Sequence, residues 1–424
     1  MKEIYIGINW EQNSTAALMV DGKILASISE ERFSRIKNDE RYPYSAINWL
    51  LKNFKIAKKD ITAICFISEA WTPAYILTRH YTKMNVNDYI DEQKKIWYPR
   101  LYKNKKISQL KTFKDKIDIN QYPGKKYWEK NIKILNKQSD HTSNKELIEI
   151  GKKIRKEVVG IHLGIDKNKI KFIDHSTGHV FYSFFALGKD RKTLSISMDA
   201  FGDFINYKAT KFYLKNKKIH IKEIVKGGNF IIARLYRYIT LILGLKPNEH
   251  EYKVMGLAPY TKKQYFEKIT ELFFSLQDVK GLKFYNKKKI PDLYFYIKEL
   301  LDGKRFDAIS GALQDYTEKL INKWIKNILK KHKFENISLA GGVAMNVKNN
   351  LIISKQNKIK NVYIPPSPDD SSQAMGACYV YYFKKFNKKP KPLKNAYLGY
   401  QINNENVKKI IKKIDKKKYQ IIIK

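Results

Sequence analysis

Short apolar runs that stop at an acid or a glycine constrain this chain more than any other feature. Ile4-Tyr5-Ile6-Gly7-Ile8 opens it, and Ala16 to Ile28 holds two such runs around Asp21-Gly22, a hairpin signal. Ile61 to Ser68, Ile170 to Asp174, Thr193 to Asp199, Ile337 to Ala340 and Val362 to Ile364 follow. Helical spacing separates them, from Tyr44 to Phe54 after Pro43, His175 to Leu187, Asp307 to His332, and about Ser371 to Phe386. Strands alternating with helices predict an α/β protein, and the cycle opened at residue 4 starts again near Lys169. Residues 75–160, rich in Lys and Tyr with weak periodicity, read as an insertion on the first lobe.

Composition narrows the function classes. With 424 residues, 43% of them hydrophobic, the chain can bury large cores, and its length predicts two to three domains. Apolar stretches such as Ile239 to Leu245 fall far short of the ~20 residues of a membrane span, so no membrane partner is expected. Cys65 and Cys378 stand far apart without metal spacing, which excludes a disulfide scaffold and a thiolate zinc site. The strand-like start lacks a signal peptide, and a cytoplasmic location is expected. The net charge of +42 invites a polyanion reading. Lysines occur in nearly every block of ten, however, which marks a compositional bias, and nucleic acid is not the expected partner.

Four constellations carry chemistry. Asp199-Ala200-Phe201-Gly202-Asp203 follows an apolar strand, and such a turn lets backbone amides approach an anion; an ordinary turn acid would look the same. Ser338 to Ala340 runs into Gly341-Gly342 and then a helix-like stretch through Asn346, a place for phosphate beside unsatisfied amides. His175 and His179 fall one turn apart on one helix face, the spacing of histidine metal sites and equally of two core histidines. A carboxylate would have to join them, and Asp370 in Pro365 to Ser372 is the candidate, with N-capping as its alternative. Lys253, in a Gly/Pro-flanked stretch ending at Tyr260, could hold an anion or simply face water.

The order of these stretches resembles the O-carbamoyltransferases of nodulation-factor and antibiotic biosynthesis. Gly7 to Gly22, Glu30 to Arg35 with Lys37 and Pro43, His175 to Phe185, Asp199 to Asp203, Lys253 to Tyr260, Leu339 to Asn346 and Asp370 to Ala377 carry the likeness. It implies an actin-like two-lobed ATPase fold over 1–390, with lobes of about 1–190 and 191–390. It also implies carbamoyl transfer from carbamoyl-adenylate, made from carbamoyl phosphate and ATP, to a hydroxyl of a sugar or other small acceptor. A divalent, iron-type metal would be held by His175, His179 and Asp370. Asp199, Gly202, Asp203, Lys253, Gly341, Gly342 and Asn346 would face the nucleotide. Residues 397–424 would begin an adenylate-synthase-like domain, loosely docked, with a strand over Gln420 to Lys424 and the rest supplied by a separate protein. Members usually carry His-Asp where this chain has Gln12-Asn13, and a double histidine where it has His175-Ser176. Gln cannot accept a proton at neutral pH, and no catalytic base is assigned. Another actin-fold ATPase or sugar kinase, and a non-catalytic nucleotide-binding homologue, are the alternatives.

Overall fold

Two five-stranded sheets share one strand order. The structure, a computed structural model, describes residues 2–70, 78, 81–82, 84–118, 144–188, 192–401 and 404–414. The first sheet holds β1 (Ile4–Asn9), β2 (Thr15–Val20), β3 (Lys23–Ser29), β4 (Ala63–Ile67) and β5 (Ile170–Ile173) in the order β3-β2-β1-β4-β5. The second holds β6 (Thr193–Gly202), β7 (Ile205–Lys215), β8 (Lys218–Gly227), β11 (Asn336–Ala340) and β12 (Asn361–Tyr363) in the order β12-β11-β6-β7-β8. A separate hairpin pairs β9 (Gln277–Lys280) with β10 (Lys283–Asn286). In both sheets three strands meander antiparallel and two more join parallel to the first. This duplicated order is the actin-like two-lobed fold that the sequence led us to expect.

Strand position explains composition. Every residue of β1 and β4 is buried, as strands covered on both faces require, whereas β3 alternates buried and half-buried residues at the sheet edge. The strands divide near residue 190, but the helices do not. Helix His175–Leu187, which follows the first sheet, packs on β6, β7 and β11 of the second. Helix Gln373–Phe386, which follows the second sheet, packs on β1, β2 and β4 of the first. The two helices also lie against each other, and Phe181, Phe184, Phe185, Phe212, Tyr379 and Phe383 fill the joint. Glycines permit these crossings. A Cβ on Gly7 would sit 1.9 Å from the Ala374 carbonyl oxygen, and one on Gly376 would sit 2.5 Å from that of Gly178.

Several expectations shift. The insertion divides: Ile154, Val158, Val159 and Leu163 of helix Asn144–Leu163 join the core of the first sheet. Met84, Tyr89, Ile96 and Phe113 instead pack with Leu241 and Tyr294 of the second half. Strand β6 continues past Asp199 to Gly202, with an irregularity between Met198 and Gly202. The stretch after Gly341 is a single 3-10 turn, Gly342–Met345, and the helix proper begins at Val347 behind an Asn346 cap. Toward the C-terminus the chain docks on the first sheet, where Ser27 N–H donates to Leu398 C=O at 3.0 Å. A helix spans Asn404–Lys413, and the expected strand at 420–424 lies outside the described residues. Among the described residues no helix is long and apolar enough to cross a membrane.

The motif from Glu30 to Pro43 is architectural in part. Buried Glu30 accepts from Ser45 N–H at 3.0 Å and Ala46 N–H at 2.8 Å, closing the start of helix Tyr44–Asn53. Nearby, the His162 ring lies between the Tyr42 hydroxyl and Asn48 Oδ1, each 3.0 Å away. Burial, with Lys58 beside it, pulls His162 down to about 4. The unfolded chain therefore takes up this proton near pH 6.5, and the folded one only near 4. Stability from this group is complete above pH 6.5 and falls progressively toward pH 4, by on the order of 2–3 kcal/mol. His162→Gln, which can serve both partners, should flatten that part of the pH dependence in urea unfolding. An unchanged slope would assign the loss to other groups.

Candidate metal centre and cleft

Four ligand atoms meet where the halves join. His175 and His179 project from the first two turns of helix His175–Leu187, whose start Asp174 caps by accepting from Thr177 N–H at 2.8 Å. Asp199 comes from the irregular part of β6, where a local kink re-aims a side chain. Asp370 opens the 3-10 turn Asp370–Ser372, and no side-chain cap bond is formed at the following helix, so Asp370 is not its cap. One donor atom from each of the four lies within 4.8 Å of the others. His179 Nε2 is 3.0 Å from Asp199 Oδ2 and 3.3 Å from Asp370 Oδ1; His175 Nε2 is 3.7 Å and 3.4 Å from the same two atoms.

These approaches are close yet misaligned for hydrogen bonds. Among the described residues, His175 Nε2, His179 Nε2 and Asp370 Oδ1 are buried without a hydrogen-bond partner. Burial alone would lower both histidines; the carboxylates of Asp370 and Glu11 around His175, and of Asp199 around both rings, outweigh it and raise them. Burial would likewise raise Asp199, but the two imidazoles hold it below the usual carboxylate range. Asp370 is raised, by burial and then by its neighbour Asp199. Two half-buried carboxylates crowded together call for positive charge between them. Two imidazoles and two carboxylates converge here, with His175 Nε2, His179 Nε2 and Asp370 Oδ1 still to be satisfied, and such a set fits a divalent ion of the imidazole-accepting kind. Asp199, which the sequence placed among nucleotide contacts, belongs to this donor set.

The turns around the set are held tightly. Gly341 has φ +88°, and a Cβ there would sit 2.3 Å from the Met198 carbonyl oxygen. Its N–H donates to Pro368 C=O at 2.7 Å, tying the Gly-Gly turn to the loop that carries Asp370. Gly342 N–H donates to Asp199 Oδ2 at 3.2 Å. A Cβ on Gly202 would sit 2.3 Å from His175 Cδ2, so the absence of a side chain makes room for the ring. Asp203 is turned to backbone: its carboxylate accepts from the N–H groups of Glu69, Ala70 and His175 at 3.0, 2.6 and 2.7 Å.

Asp199 and Asp370 also line a cavity of about 360 Å³ between the halves. Gln12, Asn13, Lys37 and Asn38 form one wall, and Tyr236, Arg237, Tyr252, Gly342, Met345 and Asn346 contribute to the other. Gln12 Nε2 donates across the gap to Asn248 C=O at 2.6 Å. Of the residues suggested from the sequence, Asp199, Gly342 and Asn346 reach this wall; Gly202, Asp203, Gly341 and Lys253 do not. Lys253 sits on helix Glu251–Leu257 rather than in a loop, with its neighbour Tyr252 toward the cavity. The amide of Asn346 is spent within the protein, paired reciprocally with Gln314 at 2.9 and 3.1 Å.

Sequence reading missed Glu11, Ser68 and Arg155. Glu11 had a visible signal, an acid two residues past β1, but Ser68 and Arg155 reach the site only through long-range packing.

Residues 5–379 match the family described as Carbamoyltransferase N-terminus. An uncharacterized protein of Synechocystis sp. is 25% identical over 434 residues, covering 96% of this chain and 62% of that protein. The nodulation protein NolNO of Sinorhizobium fredii is 22% identical, covering 87% of this chain and 46% of that protein. The chain thus spans less than two thirds of the length of these relatives. Component A of (R)-2-hydroxyglutaryl-CoA dehydratase from Acidaminococcus fermentans aligns with 91% of this chain and 100% of its own, at 11% identity and TM-score 0.39, too loose to add to the sheet order. A match across nearly all of the two-sheet body, with the histidine pair and late aspartate brought together inside it, places this chain in the carbamoyltransferase family.

Proposed function

We propose that the interlobe cavity is a carbamoyl-transfer site. In this reading the chain moves a carbamoyl group from carbamoyl-adenylate to a hydroxyl of a sugar or other small acceptor, releasing AMP and the hydroxyl proton, with carbamoyl phosphate and ATP as the source of the adenylate. One observation carries the proposal: the four-donor cluster opens, through Asp199 and Asp370, onto a cavity walled by both halves. His175, His179, Asp199 and Asp370 would hold a divalent ion, iron in the family reading. Such an ion neutralises phosphate charge and polarises a carbonyl.

The chain's own groups supply the rest. Lys37 and Arg237 place positive charge on opposite walls, suited to an adenylate phosphate. Asp199 and Gly342 are the proposed nucleotide-facing residues, with Gly202, Asp203, Gly341 and Asn346 holding the turns behind them. Gln12 keeps its amide nitrogen on Asn248, which leaves its oxygen to orient an acceptor hydroxyl without removing the proton. A separate activating protein remains part of the proposal as the adenylate source. Binding both reactants in one cavity supplies proximity, the largest contribution available without a base.

The test supplies ¹³C-labelled carbamoyl-adenylate, ATP carrying labelled γ-phosphate, and a panel of hydroxyl acceptors to the metal-loaded protein. Carbamate carbon on an acceptor hydroxyl is expected. Phosphoryl transfer to the acceptor instead would favour the sugar-kinase alternative and overturn this reading.

A further inference from the structure

Glu11 occupies a place that neither the donor set nor the cavity explains. It lies in the turn between β1 and β2, yet its Oε2 is 3.2 Å from His175 Nδ1, the ring nitrogen facing away from the cluster. Ser68 Oγ lies 3.2 Å from the same nitrogen. Ser68 follows β4 with φ +65°, a conformation that costs a non-glycine residue energy, and it is fully buried. Arg155 fixes this turn: its guanidinium donates to Ser68 C=O at 2.6 Å and Glu69 C=O at 3.1 Å, and stacks 4.3 Å from the Phe172 ring. Asp203 holds the turn's amides and the His175 N–H from the other side. Half-buried Glu11 and a strained, buried serine thus meet the rear of one imidazole, and buried Arg155 holds the serine's turn.

We propose that Glu11 is a positioning residue for His175, with Ser68 as its support. Glu11 accepts the Nδ1 proton of His175, which fixes the tautomer, leaves the Nε2 lone pair free and turns it toward His179, Asp199 and Asp370. A carboxylate behind a ligating imidazole sets ring orientation and raises ligand basicity, and losing such a partner typically costs about 10–100-fold in metal affinity. The alternative is that Glu11 merely balances the buried Arg155. Balancing would require charge near the guanidinium, but it would not require an oxygen on His175 Nδ1.

This inference rests on the metal reading above, and the experiment separates the two. Purified metal-free protein is titrated with Co(II), whose visible spectrum reports ligand geometry, and in parallel with Fe(II) under anaerobic conditions. Wild type, Glu11→Gln, Glu11→Ala and Ser68→Ala are compared, each with its melting temperature measured without metal. Glu11→Ala should weaken Co(II) binding 10–100-fold and alter its visible bands. Glu11→Gln keeps an acceptor oxygen of the same reach, and should retain the bands with a smaller loss of affinity. No Co(II) or Fe(II) binding by wild type would overturn the metal reading itself. Wild-type binding with unchanged affinity and bands in Glu11→Ala would overturn the role of Glu11 alone. If Glu11→Ala does not fold, Glu11→Gln decides: wild-type affinity and bands in that variant would equally overturn it.

Discussion

Chelation should lower the melting temperature of the purified protein, and His179→Ala should make the protein indifferent to chelator. His179 is fully buried, and among the described residues neither of its ring nitrogens has a hydrogen-bond partner. An ion on Nε2, the nitrogen that faces Asp199 and Asp370, would take the one lone pair that a neutral imidazole offers. An ion bound only by the folded state stabilises it by about 2.7 kcal/mol when present at a hundredfold excess over its dissociation constant. His179→Ala will destabilise the apoprotein through the cavity it leaves, so the informative quantity is the shift with and without chelator in each variant. Equal melting temperatures for wild type in Co(II) and in chelator would show that the cluster is held together by protonated imidazoles alone.

The second large effect belongs to the crossing of the two exchanged helices. In Gly376→Ala the new methyl would meet the Gly178 carbonyl oxygen at 2.5 Å and its carbon at 2.9 Å, backbone atoms that cannot swing aside. Overpacking of this kind costs about 3 kcal/mol. Because Gly178 lies between the two histidines on its helix, the displacement should also weaken the response to metal. Gly256→Ala is the control, since its helical site is open. Alanine there should stabilise by up to about 1 kcal/mol. Urea unfolding of both variants checks the pair, and equal midpoints would show that the helices separate more easily than their packing implies.

Local order was legible in the sequence wherever one segment decides its own structure. Among the described residues each strand named from its apolar run exists, and the helix from His175 to Leu187 has the bounds that its spacing predicted. Residue types alone could only nominate Asp370 as a partner for the histidine pair, and the family likeness singled it out, because 190 residues and the whole second sheet lie between His179 and Asp370 in the chain. Lys253 was misplaced because Gly256 and Pro259 look like loop punctuation; the glycine sits in an open helical position and the proline in the first turn of a 3-10 segment. Asp203 looked like a phosphate turn because an acid beside glycine has that form, whether its oxygens meet a ligand or three amides of its own protein. Arg155 was hidden inside a lysine-rich stretch where nothing distinguishes one buried cation from many solvated ones.

The exchange of helices between the sheets has a mechanical consequence. Each half sends one helix into the other, so any rocking of the halves must turn about the place where those helices cross. His175 and His179 flank the Gly178 of that crossing, whereas Gln12 and Asn248 bridge the two walls of the cavity. A turn about the crossing would displace its own residues least, so widening the cavity would have to part the Gln12 to Asn248 contact while the two imidazoles stay beside the pivot.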